Sequence, residues 1–257
     1  MPVFSTEVWN KARRLPHQYR PALARRAGLM LSLWLMTAGA VAAETVTAAS
    51  FDQPTRRYAH GVLGDAIEYG SLRITSAAGS IEVVLPKDHV FEDLAPRLVD
   101  IDLDGQAEVM VVETDMARGA QLAIYDHSGK KIAETPHIGR SNRWLAPIGA
   151  ADLDGDGLVE LAYIDRPHLA KTLRIWRYQD GALVEVAALR GLTNHQIGQD
   201  FITSGLRRCG DTVELITADA HWQSVVATVL QADQLKSRVI GAFQKDPELK
   251  RALACDD

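Results

Sequence analysis

The sequence predicts an all-β protein: a small β-propeller of about four blades, closed or incomplete, built of four-stranded antiparallel sheets and ending in a short C-terminal helix. Three observations predict it. First, a ten-residue pattern, 100-DIDLDGQAEV-109, returns as 152-DLDGDGLVEL-161 at a shift of 52 residues. Second, glutamates at 68, 108, 160 and 214 follow glycine–acid turns at intervals of 40, 52 and 54. Third, the intervals are filled with short apolar or alternating runs bounded by turn residues, the pattern of strands.

The chain opens on a segment of a different kind. Residues 1–43 hold six Lys or Arg and one acidic residue, and 28-GLMLSLWLMTAGAV-41 is an apolar run of 14. That run is short of the ~20 residues a membrane-spanning helix needs. Ala40-Val41-Ala42 supplies the small-residue site that signal peptidase accepts, so 1–43 reads as a secretory signal cleaved near Ala42 or Ala43, and the protein as periplasmic or secreted. Residues 44–257 are then the propeller domain, with units near 57–93, 94–144, 145–195 and 196–245 and a tail at 246–257.

Within the second unit, RLVDI precedes the aspartate loop, and 107–114, 119–126 and 131–138 follow as strands. In the third, WLAPIGAA precedes the loop and 158–165, 172–179 and 182–189 follow. The fourth unit offers 200–207, 212–219, 224–231 and 236–243, and the tail has a helix N-cap at Asp246 with Pro247 at the first helical position. The first unit is short. Its glycine–acid turn, 64-GDAIE-68, and the fourth unit's 210-GDTVEL-215 echo the repeat without the alternating aspartates.

Charge narrows the function classes. The whole chain has 28 Lys and Arg against 33 Asp and Glu; without 1–43 the remainder is near −10. That excludes nucleic acid as the natural partner and favours cations. Cys209 and Cys255 both fall in the exported part. In an oxidising compartment such a pair is more often a disulfide than two free thiols.

The aspartate loops carry the chemistry. A tight loop turns alternate side chains towards one centre, and calcium takes about six to eight hard oxygens. Asp100, Asp102 and Asp104 in the first loop, and Asp152, Asp154 and Asp156 in the second, supply carboxylates at positions 1, 3 and 5. Gly105 and Gly157 permit the reversal at position 6. The carbonyls of Gln106 and Leu158 and the carboxylates of Glu108 and Glu160 complete the expected ligand sets, for two calcium ions in all. The loops are not EF-hands: the twelfth position is Val111 or Tyr163 instead of Glu, and the flanks alternate as strands.

D-x-D-x-D-G-x-x-[DE]-[LV] after a strand, with Ala95-Pro96 or Ala146-Pro147 shortly before it, resembles the FG-GAP/VCBS repeat of integrin-α-like β-propellers. The resemblance spans roughly 58–245, strongly in two units and weakly in the outer two. It implies calcium in the loop that joins the first two strands of a blade. Two departures stand out: the Phe-Gly dipeptide is absent, and position 9 is Glu where Asp is commoner.

No catalytic constellation emerges. Histidines at 60, 89, 127, 137, 168, 195 and 221 are scattered, and no nucleophile motif or phosphate loop is present. The stretch 172-TLRIWRYQ-179 offers aromatic and basic side chains, and 57-RYAHGVLGDAIEY-69 offers polar ones for a central pocket. Two readings follow: an exported, non-catalytic calcium-binding propeller presenting a face to a protein or glycan, with no membrane contact after signal cleavage, or a carbohydrate-active or hydrolytic propeller with its site at the central channel.

Overall fold

The computed structural model describes residues 45–244 and 251–255; the predicted signal segment and the predicted cap at Asp246 and Pro247 lie outside them. All the described residues belong to one compact unit. Seventeen strands form three antiparallel sheets among these residues. No helix among them is long and apolar enough to cross a membrane.

The first sheet contains β1 (Val46–Thr55), β2 (Glu68–Ser76), β3 (Gly79–Val84), β4 (His89–Phe91), β5 (Arg97–Val99), β6 (Glu108–Asp115), β7 (Gly119–Tyr125) and β8 (Lys131–Glu134). The second contains β9 (Leu145–Ala151), β10 (Glu160–Asp165), β11 (Thr172–Gln179) and β12 (Ala182–Arg190). The third contains β13 (Leu192–Thr193), β14 (Gly205–Cys209), β15 (Thr212–Asp219), β16 (Ser224–Gln231) and β17 (Gln234–Ala242). The architecture is a small, propeller-like all-β fold.

The repeat is visible in the register. β9 covers the whole edge of β10 in the second sheet. In the first sheet that edge is divided, with β5 on the early half of β6 and β4 on the later half. In the third sheet β14 and β13 divide the edge of β15 in the same way. Because β4 also meets β2, through Tyr69 and Phe91, the first unit is continuous with the second instead of standing apart.

Core packing explains why the strands read as they do. On β6, Val109 and Val111 face a cluster with Leu72, Ile74 and Phe91, whereas Met110 and Val112 face a cluster with Leu145, Leu161 and Trp176. β10 repeats this one layer on: Leu161 and Tyr163 point back towards the first sheet, Ala162 and Ile164 towards Leu215 and Val226 of the third. Every residue of β6 and β10 is buried, and a strand buried on both faces has an apolar run without alternation, here 109–112 and 161–164, with the charged residues at the strand ends or paired.

The tail closes on the third sheet. Residues 251–253 are helical, Ala252 packs with Ile216 and Val225, and Cys255 is disulfide-bonded to Cys209. Arg207, from β14, donates through Nη1 to the Ala252 carbonyl at 2.6 Å.

Candidate metal centres

Each aspartate loop hangs between paired strands, the first joining β5 to β6 and the second β9 to β10. The rungs Val99–Glu108 and Ala151–Glu160 are equivalent and hold the two mouths alike. Gly105 and Gly157 sit in the left-handed region at φ +85° and +86°, where a side chain is disfavoured. At position 4 the loops differ: Gly155 has φ 82°, but its counterpart Leu103 holds φ 60° with a full side chain. That conformation costs an L-residue about 1–2 kcal/mol.

Backbone N–H groups organise the carboxylates. Asp100 Oδ2 accepts from Gly105 N at 3.0 Å, and Asp152 Oδ2 from Gly157 N at 3.0 Å. Glu108 Oε2 reaches across to Ile101 N at 3.0 Å, and Glu160 Oε2 to Leu153 N at 2.9 Å. Each glutamate is thereby tied to the second residue of its loop.

In both loops the carboxylates that converge are those at positions 1, 3 and 9. Oxygens of Asp100, Asp102 and Glu108 lie within 4.8 Å of one another, and so do those of Asp152, Asp154 and Glu160. Asp104 and Asp156 instead accept the N–H groups of Gln106 and Leu158, at 2.7 and 2.8 Å. Asp104 also takes the Gln106 side-chain amide at 2.7 Å. The predicted carbonyl roles of Gln106 and Leu158 rest on the sequence pattern alone. Asp100 Oδ1 and Asp154 Oδ1 are buried with no hydrogen-bond partner, so each is an acceptor that a cation or a water could satisfy. The donor set fits calcium.

The second loop contains a cation that sequence reading missed. Arg177 donates from Nη2 to Asp154 Oδ2 at 2.9 Å and from Nε to Glu160 Oε1 at 2.5 Å. Its Nη1 lies 3.0 Å from Asp233. The hairpin register was the available signal, since β10 and β11 set Arg177 directly opposite Glu160.

The four glutamates of the repeat compare instructively, because each is buried near the start of its strand, at 2, 9, 0 and 6% exposure for Glu68, Glu108, Glu160 and Glu214. Burial, with Glu92, Asp65 and Asp93 nearby, pushes Glu68 up to about 9. Burial and the three loop aspartates also raise Glu108, against the pull of the Ile101 N–H. Burial raises Glu160 too, although Leu153 N–H and Arg177 oppose it. Burial acts upward on Glu214, but Arg238 and Arg207 outweigh it and hold this carboxyl below its ordinary value. The same buried carboxylate position thus meets acidic neighbours alone at Glu68, a backbone N–H and three loop aspartates at Glu108, one arginine within an acidic loop at Glu160, and two arginines at Glu214.

A family model for the FG-GAP-like repeat matches residues 100–163, from Asp100 of the first loop past Glu160 of the second. The chain carries an FG-GAP-like repeat. A comparison with curated proteins finds no relative of the chain. The FG-GAP-like match spans the two loops whose geometry agrees, and the repeat indicates a β-propeller-like, adhesion-type module.

Histidines that look scattered in the sequence are brought together by the fold. His168 Nε2 lies 3.0 Å from His195 Nδ1, and His195 Nε2 donates to the Gln199 carbonyl at 3.0 Å. Burial lowers both rings, His168 to about 4 with the help of neighbouring His195. His60 contacts Glu92 at 2.5 Å. His60, Val62, Trp144, Arg166 and His168 line a cavity of about 230 Å³, so part of 57–69 does border a pocket. His89 and His137 meet elsewhere, beside Asp115.

Proposed function

We propose that the protein is an exported, calcium-stabilised, non-catalytic β-propeller module that presents a surface to a protein or glycan ligand. The observation that carries this reading is the matched convergence of three carboxylates in each strand-linking loop, with Asp100 Oδ1 and Asp154 Oδ1 buried and unpartnered. Asp100, Asp102 and Glu108 would hold one ion, and Asp152, Asp154 and Glu160 a second. Carboxylates are the hard ligands calcium prefers, and a bound ion supplies the positive charge that cancels their mutual repulsion. The chain's own part is to fix these oxygens through the N–H groups of Ile101, Gly105, Leu153 and Gly157.

The two loops are unequal in this reading. Arg177 pairs with the carboxylates of the second loop, so calcium there must displace it or share oxygens with it. The first loop is therefore the tighter site. Export is supported by the basic and apolar leader ending in Ala40-Val41-Ala42 and by the Cys209–Cys255 disulfide.

Melting in millimolar calcium and in chelator tests the reading, because a ligand that binds the native state stabilises it. The purified protein is expected to melt several degrees higher with calcium, and Asp102→Ala with Asp154→Ala to abolish the difference. An unchanged melting point sinks the calcium assignment. Glycan-array binding then tests the ligand class. A second reading, a carbohydrate-active or hydrolytic enzyme, draws on the cavity beside Trp144 and His168; turnover of a glycoside panel, lost in His168→Gln, would favour it.

A further inference from the structure

A second kind of metal site lies away from the aspartate loops. His89 opens β4 and is the cross-strand partner of Asp115, the last residue of β6. His137 follows β8 and runs beside the start of β7, where Ile138 N donates to the Ala120 carbonyl at 3.0 Å. Three strands and a loop thus bring together residues 26 and 22 positions apart. One ring nitrogen of each histidine and one Asp115 oxygen all lie within 4.8 Å of one another. His89 Nε2 is 3.7 Å from Asp115 Oδ2, close to the ~3.3 Å between neighbouring ligands that a tetrahedral ion with bonds of about 2.0–2.1 Å requires.

The surrounding hydrogen bonds orient the rings. His89 Nδ1 is 2.9 Å from Asp88 Oδ1, and His137 Nδ1 is 2.8 Å from the Gly119 carbonyl. A carboxylate and a carbonyl only accept, so Nδ1 carries the proton in both rings and each neutral ring keeps its lone pair on Nε2. This arrangement, one ring N–H given to a carboxylate or carbonyl, is the usual support of a metal-bound histidine. Arg118 Nε occupies one lone pair of Asp115 Oδ2, at 2.6 Å, and an ionised oxygen has another to offer.

The backbone fixes the cluster. Arg57 Nε donates to the His89 carbonyl at 3.1 Å, and Met116 N to the Asp88 carbonyl at 2.9 Å. Gly119 has φ +81°, and a Cβ there would meet the Arg140 carbonyl at 2.3 Å, so the carbonyl that holds His137 depends on a glycine. The His89 side chain is 16% exposed, enough for an ion to enter.

We propose that His89 Nε2, Asp115 Oδ2 and a ring nitrogen of His137 form a binding site for a borderline divalent transition ion of the zinc class, with at least one position left to water or a ligand. Two imidazoles and one carboxylate suit zinc, copper, nickel or iron and are a poor set for calcium. The site is chemically distinct from the acidic loops.

Zinc competition against a chromophoric chelator, with the purified protein in excess calcium to saturate the acidic loops, tests this. One equivalent of zinc is expected to bind, with affinity reduced at least ~100-fold in His137→Gln and in His89→Gln, and roughly tenfold in Asp88→Asn, which removes only the supporting carboxylate. Asp102→Ala should bind zinc as the wild type does. Far-UV circular dichroism checks that each variant is folded; His137→Gln leaves the His89–Asp115 rung intact should His89→Gln disturb it. Zinc binding as tight in His137→Gln as in the wild type, or no wild-type competition at all, overturns the site.

Discussion

Arg177 occupies the position where a cation is wanted, and its removal separates two contributions that the wild type combines. The guanidinium contacts Asp154, Asp156 and Glu160, and its side chain is 12% exposed. Taking it away leaves buried carboxylates uncompensated, a loss of about 3 kcal/mol or more. Arg177→Met should therefore melt well below the wild type in chelator and regain much of the difference in calcium. Calorimetric titration in an Asp102→Ala background should show tighter calcium binding by the second loop once Arg177 is gone. Equal affinity with and without Arg177 would show that the arginine does not compete for the site. Glu68 gives the complementary case, neutralised by a proton. Its carboxyl ordinarily titrates near 4.5 and is pushed by burial and by Glu92, Asp65 and Asp93 up to about 9. The folded state therefore holds a proton that the unfolded state releases. Stability from this group is complete below about pH 4.5 and falls by about 1.4 kcal/mol per pH unit until about pH 9. Glu68→Gln cannot lose that proton, so its melting temperature should match the wild type's near pH 5 and exceed it at pH 8. Parallel melting profiles for the two proteins would contradict the assignment.

At the scale of elements, legibility follows the strength of local constraints. The strands expected at 172–179, 212–219 and 224–231 form over those same residues, because turn residues and apolar runs bound them on both sides. The strand expected at 131–138 ends at Glu134; Pro136 has no N–H to extend the ladder. The strand expected at 200–207 starts instead at Gly205, and Leu192–Thr193 takes the remaining edge of β15. A divided edge strand leaves two short stretches with no period of their own, so sequence reading cannot separate them. β1 was not anticipated, since most of its residues are exposed or half-buried and it lacks the alternation of a strand with one buried face. The aspartate spacing pointed to the two candidate loops, but spacing alone does not say which oxygens converge. The histidine clusters were illegible for the same reason: residues 89, 115 and 137 meet only because antiparallel pairing and a loop return bring them together.

For the whole molecule, the decisive feature is that β10 of the middle sheet has no free face. β10 supplies Leu161 and Tyr163 to the core shared with the first sheet, and Ala162 and Ile164 to the core shared with the third. Stacked units that bury their cores only against neighbours couple strongly when both interfaces are apolar. Trp144 and Trp176 report on the first interface, while Trp222 stacks edge-on against Phe243 near the end of the third sheet, with ring centroids 5.0 Å apart. If the three sheets fold as one cooperative unit, tryptophan fluorescence and far-UV circular dichroism should give coincident urea transitions. Leu161 is fully buried, and Leu161→Ala should lower stability by about 2–5 kcal/mol through lost burial and the cavity left behind. Its effect should appear as a lower midpoint with an unchanged slope, since the surface exposed on unfolding is the same. Because the substituted residue touches only the first interface, the test has a sharp alternative. Should the third sheet be independent, Leu161→Ala would split the transition and leave a late phase at the wild-type midpoint. A single shifted transition instead means that the β10 layer transmits a loss in one core to the other.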